Sequence, residues 1–218
     1  MKFPHARILV FCKAPVPGQV KTRLAQGIGD IPAARLHESL AHHCLQNLTT
    51  AGVAPVQLWC APDRHHPFFR DCRARYGVEL HEQAGDDLGG KMLHAIESTL
   101  GETSHCVVVG TDCPVMDGAV VRQALEALHA GADGVIAPAE DGGYALVGMS
   151  RAMPAVFSGI SWGSSDVMAQ TRLKMSGRWR ELATLWDIDR PEDLQRLLAL
   201  KRQIRADSPL AEFLAAVA

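Results

Sequence analysis

One stretch near the N-terminus, Lys13-Ala14-Pro15-Val16-Pro17-Gly18-Gln19-Val20-Lys21-Thr22-Arg23-Leu24, gathers three cations, a hydroxyl, a glycine and two prolines. Lysine is a point charge for phosphate, and arginine can fork two of its oxygens. Gly18 lets the backbone come close to a ligand. The stretch is not a P-loop, because Val20 stands where that motif needs glycine before Lys-Thr. It is not a dinucleotide fingerprint either, since G-x-G-x-x-G is absent. What remains is a stiff cationic loop that suits phosphate, or a solvated loop with ordinary surface cations.

A phosphate site of this kind needs an acidic half. Mg2+ takes one or two carboxylates together with substrate phosphates. Asp112 follows the apolar run Cys106-Val107-Val108-Val109-Gly110, which reads as a buried strand. It can serve a metal or make an Asx-turn before Pro114. Asp189 is the second candidate carboxylate, with Asp187 in reserve. Asp189-x-x-Glu192 with Pro191 between them also reads as a capping box.

Two glycine-rich joints complete the set. Asp141-Gly142-Gly143-Tyr144 reads as a turn, with Asp141 able to accept from a sugar or base and Tyr144 able to stack. Gly85-Asp86-Asp87-Leu88-Gly89-Gly90-Lys91 reads as a helix start, a place that favours anionic groups. Other chemistries find no support. The doublets His42-His43 and His65-His66 lack a metal-binding partner at i+4, and Ser164-Ser165 has no nucleophile elbow.

The elements that must position these groups alternate between strand-like and helix-like. Strands are expected at Ile8–Cys12, Val56–Cys60, Val78–His81, Cys106–Gly110, Gly134–Ala137, Tyr144–Met149 and Leu182–Ile188. Helices are expected from Asp30 to Gly52, over 67–76, from Asp86 or Asp87, from Asp117, over Asp166–Met175, after Asp189 and in a short tail from Ser208. Parallel neighbours need a crossover of a dozen or more residues. About six residues, Pro138 to Gly143, precede Tyr144, so that strand is expected to run antiparallel. The reading is α/β with a mixed sheet, in one domain over residues 1–218.

Composition excludes several classes. The 218 residues are 47% hydrophobic and 21% charged, as in ordinary globular chains. A net charge of −2 without a basic block argues against a nucleic-acid polymer as partner. No apolar run approaches the roughly 20 residues a membrane span needs. Six irregularly spaced cysteines without a CxxC pair, and no signal-peptide core, point to the cytoplasm.

Six motifs in order carry a resemblance. They are the Lys13–Leu24 stretch, Gly85-Asp-x-Leu-Gly89, Val109-Gly-Thr-Asp-Cys-Pro114, Asp141-Gly-Gly-Tyr-x-Leu-x-Gly148, Trp162-x-x-Ser165 and Asp187-x-Asp-x-Pro-Glu-Asp-Leu194. The chain resembles the DUF2064 family, also called glycosyltransferase-like or cofC-like transferases and associated by name with arsenosugar biosynthesis. More distantly it is similar to the GT-A nucleotide-diphospho-sugar transferase superfamily, including phospholactate guanylyltransferase and CMP-sugar synthetases. That resemblance implies a Rossmann-like three-layer α/β/α sandwich with a mixed, mainly parallel seven-stranded sheet. It implies a nucleotide or nucleotide-sugar held by Lys13, Pro17, Gly18, Lys21, Thr22 and Arg23, with Gly89, Asp141, Gly142 and Gly143 beside it. Lys21, Arg23 and Asp112 would carry catalysis, and Asp112 and Asp189 would hold Mg2+ or Mn2+. Four positions depart from the family pattern. Gln19 stands for the usual Arg, Gly90-Lys91 for Glu-Arg, and Arg190 for Thr. The expected activity is nucleotidyl transfer from an NTP to a small phosphorylated acceptor. Glycosyl transfer from a nucleotide-sugar, or nucleotide binding without turnover, is the alternative.

Overall fold

The structure, a computed structural model, describes residues 1–204 and 206–216. The first strand, β1 (Ala6–Lys13), turns Ile8, Val10 and Cys12 to one side and Leu9 and Phe11 to the other. Both sides are covered, as the unbroken apolar run requires. A short helix α1 (Thr22–Ile28) and a long helix α2 (Asp30–Ala51) follow. Helix α1 was not expected, because prolines and glycine dominate the stretch before it. Pro32 sits in the first turn of α2, where its missing N–H costs nothing.

Next come β2 (Val56–Ala61), α3 (Pro67–Tyr76), β3 (Glu79–Glu82), α4 (Leu88–Leu100), β4 (His105–Gly110) and α5 (Gly118–His129). Asp87 caps α4 by accepting from the Gly90 N–H at 2.7 Å. Asp117 caps α5 by accepting from the N–H groups of Ala119 and Val120. The chain continues through β5 (Gly134–Pro138), β6 (Tyr144–Met149), α6 (Val167–Arg172), β7 (Trp179–Glu181), α7 (Asp193–Ala199) and α8 (Pro209–Ala216). The seven strands form one sheet in the order β3-β2-β1-β4-β6-β5-β7. Only β6 runs antiparallel, against both β4 and β5, as the short connection before Tyr144 requires.

Helices cover both faces, giving the expected three-layer sandwich. Side chains of α2, α3 and α5, such as Leu45, Phe69 and Val121, pack on one face with Ile8, Val10 and Val107. On the other face Met92 and Ile96 of α4 and Met168 of α6 pack with Leu9, Val108 and Ile136. All six cysteines are free and buried. Among the described residues no helix is long and apolar enough to cross a membrane.

The last strand departs from expectation. β7 is Trp179–Glu181, not Leu182–Ile188. Its neighbour β5 ends at Pro138, which has no N–H to offer the ladder. Residues 182–188 instead run alongside, joined by one isolated parallel bridge, Ala139 to Leu185, and by separate bonds. Leu182 N–H donates to the Ile136 carbonyl and Leu185 N–H to that of Pro138, both at 2.8 Å. Ile188 N–H donates to the Asp112 carbonyl at 3.0 Å. The helix expected to open at Asp189 starts later, at Asp193.

Candidate functional site

In an open α/β sheet, ligands sit beyond the carboxyl ends of the strands where the order reverses. Here β2 and β4 lie on opposite sides of β1, so that point falls between β1 and β4. The loop after β1 carries Lys13 to Lys21, and the end of β4 carries Asp112. A third apolar cluster brings the C-terminal segment to them. Leu24 of α1 and Leu36 and Leu40 of α2 pack against Trp186, Ile188, Leu197, Leu210 and Leu214. Burying Leu24 and Ile188 fully contributes about 2 kcal/mol each. Trp186 and Ile188 face that cluster, and Asp187 between them lies close enough to Asp141, Lys21, Asp112 and Asp189 to feel their charges.

Lys21 is the only non-glycine among the described residues with a positive φ, 50°. Its side chain is 3% exposed and points inward. The ammonium makes an ion pair with Asp112 Oδ1 at 2.8 Å and donates to the Ile188 carbonyl. So the lysine expected to face phosphate instead joins the end of β4 to the C-terminal segment. His37, buried on α2, completes this corner. Its Nε2 lies 3.0 Å from the Lys13 carbonyl, and its Nδ1 lies 3.6 Å from Asp112 Oδ1. Burial pushes the Asp112 carboxyl up. The Lys21 charge and the contact with His37 outweigh it and hold the group well below the usual carboxylate range.

Asp187 is treated differently. Burial raises it, the charge of Asp141 raises it further, and Lys21 only partly opposes them. With smaller pushes from Asp112 and Asp189, its carboxyl is raised to about 6. Asp189 does not cap a helix. Its carboxylate accepts from Arg23 Nη1 at 2.9 Å, while the Asp193 carboxylate, at the start of α7, accepts from the N–H groups of Asp189 and Arg190 ahead of the helix.

The remaining residues line the rim. Lys13, Pro17, Gly18, Thr22 and Arg23 are exposed. Asp141 is exposed and accepts from the Gly143 N–H at 2.8 Å. Gly142 has φ 91°, and a Cβ there would lie 2.0 Å from the Ser165 carbonyl oxygen. Its own carbonyl accepts from Met168 N–H at 2.8 Å, which locks the β5–β6 loop to the start of α6. Gly89 packs under Trp162, where a Cβ would lie 2.6 Å from the indole ring. Tyr144, expected to stack on a ligand, stands edge-on to Trp162 at 6.2 Å, and its hydroxyl is buried. Thus Lys21, Arg23, Asp112 and Asp189 come together with Asp187, while Gly89 and Tyr144 serve packing on the neighbouring wall.

Two positioning groups carried no signal in the sequence. His37 reads as a core histidine in an amphipathic helix, since its partner Asp112 is remote in the chain. Gln83 donates to the carbonyls of Trp59 at 2.8 Å and Cys12 at 3.4 Å, tying the ends of β1 and β2.

Comparison with known proteins places this geometry. The family model described as "Uncharacterized protein conserved in bacteria (DUF2064)" matches residues 44–164. A search of curated proteins gives no match. A solved structure from Desulfovibrio desulfuricans G20, provisionally named a nucleotide-diphospho-sugar transferase, is 32% identical with a TM-score of 0.87. The match covers 98% of this chain and 95% of that one. A cytidylyltransferase from Leptospira borgpetersenii has a TM-score of 0.60 at 12% identity, over 98% and 94% of the two chains. A 4-diphosphocytidyl-2C-methyl-D-erythritol synthase from Anaerococcus prevotii has a TM-score of 0.59 at 9% identity, over 89% and 96%. At those identities the last two show the shared nucleotide-diphospho-sugar transferase fold alone. With more than half its length matched by the family model, the chain belongs to the DUF2064 family.

Proposed function

We propose that this protein is a nucleotide-utilising transferase, and within that class a nucleotidyltransferase. One observation carries the reading: a cationic loop and carboxylates from two other segments meet at the carboxyl edge of the sheet, in the ion pairs Lys21–Asp112 and Arg23–Asp189. A polyphosphate is the ligand that needs positive charge on one side and metal-binding carboxylates on the other. Lys13 and Arg23, both exposed, bind the phosphates. An oxygen of the phosphorylated acceptor attacks the α-phosphorus of the NTP, the bond to the β-phosphate oxygen breaks, and pyrophosphate leaves. The chain contributes alignment and charge rather than a nucleophile of its own.

The donor set fits Mg2+ or Mn2+. Asp112 and Asp187 offer only carboxylate oxygens, which these hard cations take. Burial, and after it the charge of Asp141, raises Asp187, and a divalent ion beside it would oppose both. Among the described residues no three acidic, histidine or cysteine side chains converge as a cage, so phosphate oxygens would complete the shell. Asp112 and Asp187 are the pair we assign, because Asp189 is engaged by Arg23. When bound, the ion neutralises charge gathering on the phosphate oxygens.

A glycosyltransferase using a nucleotide-sugar is the second reading, favoured by the name of the relative at 32% identity. Against it, Thr111-Asp112-Cys113 supplies one carboxylate where a D-x-D pair would supply two. A thermal-shift screen of NTPs and nucleotide-sugars, with and without Mg2+, separates them. Metal-dependent stabilisation by triphosphates is expected. Stabilisation by UDP- or GDP-sugars alone supports the second reading, and no shift with either overturns both.

A further inference from the structure

We infer that Lys21 and His37 are positioning residues that grip the inner oxygen of Asp112, and that the phosphates are met by Lys13 and Arg23. This rests on the proposed nucleotide site and deepens it. Asp112 Oδ1 is closed off from solvent, yet the side chain as a whole is 46% exposed. The exposed part is therefore its outer side, which carries Oδ2. Lys21 and His37 both approach Oδ1, at 2.8 and 3.6 Å. Oδ2 is left to the cleft as a one-oxygen donor in a fixed plane.

Lys21 is held too firmly to serve as a mobile phosphate contact. Its neighbours Val20 and Leu24 are 5% and 0% exposed, so the backbone on either side is pinned in the core. Reaching a ligand would cost its ammonium both Asp112 and the Ile188 carbonyl. It would also leave a buried carboxylate oxygen facing only His37. His37 extends the grip to the loop. Its Nε2–H donates to the Lys13 carbonyl, so the ring that stands 3.6 Å from Asp112 Oδ1 is tied to the backbone that presents Lys13. Partners behind a metal ligand commonly change metal affinity 10–100-fold when removed.

The test separates metal-dependent from metal-free binding. Affinities of the full chain for ATP, CTP, GTP and UTP are measured by calorimetry in EDTA and again with Mn2+. Mn2+ alone is titrated by electron paramagnetic resonance. Lys21→Met, close in volume and apolar, is expected to keep metal-free nucleotide affinity within about twofold of wild type. It should lose the Mn2+-dependent gain by at least about tenfold. His37→Gln should show the same pattern more weakly, and serves if Lys21→Met unfolds. Arg23→Met should show the reverse, with metal-free affinity down about tenfold and the Mn2+ gain retained. A metal-free loss in Lys21→Met equal to that of Arg23→Met overturns the inference. If wild-type protein binds no nucleotide under either condition, the functional reading fails. The Mn2+ titration still decides this point: weaker binding in Lys21→Met supports it, and unchanged binding sinks it.

Discussion

Asp112 and Asp187 approach one cleft from two different segments, and the fold treats them in opposite ways. Asp112 has its inner oxygen against Lys21 and His37, which hold it ionised in spite of burial. Asp187 is raised by burial and by the charge of Asp141, with Lys21 only partly offsetting them. The chain therefore stabilises the first carboxylate by itself, and the second needs a cation from outside. That contrast separates structural from functional strain. Paired charges support the fold, whereas an uncompensated charge in a cleft marks a place where binding relieves repulsion.

The largest expected effect comes from Asp112→Asn. It removes the charge partner of a lysine whose side chain is 3% exposed. Breaking one side of such a pair costs more than the pair contributes. With Asp112 half open to solvent, a loss of about 2 kcal/mol in urea unfolding is expected. The Mn2+-dependent gain in nucleotide affinity should vanish with it. The buried ammonium of Lys21 is what makes this substitution costly to the fold. The low carboxyl of Asp112 stabilises the fold above the ordinary carboxylate range and ceases to do so as pH falls below it. The penalty of Asp112→Asn should therefore shrink in acid. The double variant Lys21→Met/Asp112→Asn should recover most of the loss. Equal instability in the double variant would show that the pair is not the cause.

Asp187→Asn should act in the other direction on stability. A carboxyl raised to about 6 binds its proton more tightly in the folded chain than in the unfolded one. Wild-type stability from this group is therefore full at low pH and is lost as pH rises through about 6. Removing the charge should gain about 1 kcal/mol at pH 7.5, after discounting for solvent, about half of that at pH 5, and nothing below the ordinary carboxylate pKa of about 4. The same variant should lose most of the Mn2+-dependent nucleotide affinity. A stabilised protein that binds poorly is what a site under repulsion predicts. A destabilised Asp187→Asn would mean that the carboxylate is already satisfied within the fold.

The comparison also sets the pH profile of the wild type. Metal-dependent nucleotide binding should weaken as pH falls through about 6, because protonated Asp187 no longer attracts the cation. Metal-free binding to Lys13 and Arg23 should not follow that curve. Calorimetry at pH 5 and pH 7.5, with and without Mn2+, reads both. A metal-dependent gain that is equal at the two values would remove Asp187 from the site.

How far the sequence foretold these two residues follows from how local their causes are. Asp112 was legible because an unbroken apolar run ends just before it, and such a run in an α/β chain is a central strand. The same locality made the caps Asp87 and Asp117, and the reversed strand β6, readable. The far end of the sheet was not. Pro138 stops the ladder on β5, so the apolar stretch 182–188 lies beside the sheet without becoming a strand, and β7 forms from Trp179-Arg180-Glu181, a segment with little apolar pattern. His37 left no trace, since one histidine in an apolar helix face looks the same whether or not a carboxylate waits across the fold. Between Asp187 and Asp189 the sequence could not choose, for both lie at the end of the same apolar stretch. The choice depends on Arg23, which meets Asp189 only because α1 forms in a stretch that reads as loop.

That choice is where the smallest expected effect is the most informative. Asp189 and Arg23 pair at the surface, with side chains 31% and 53% exposed. Exposed pairs add little to stability, since water screens the attraction and two long side chains must be ordered to make it. Asp189→Asn should therefore leave the unfolding midpoint where it is. It should also leave the Mn2+-dependent gain intact if Asp187 is the second carboxylate. Freed from its partner, Arg23 keeps its full charge for phosphate, so metal-free nucleotide affinity should hold or rise slightly. A loss of the Mn2+ gain in Asp189→Asn, with Asp187→Asn unaffected, would exchange the two assignments. It would make the Arg23–Asp189 pair a contact that the bound nucleotide has to open.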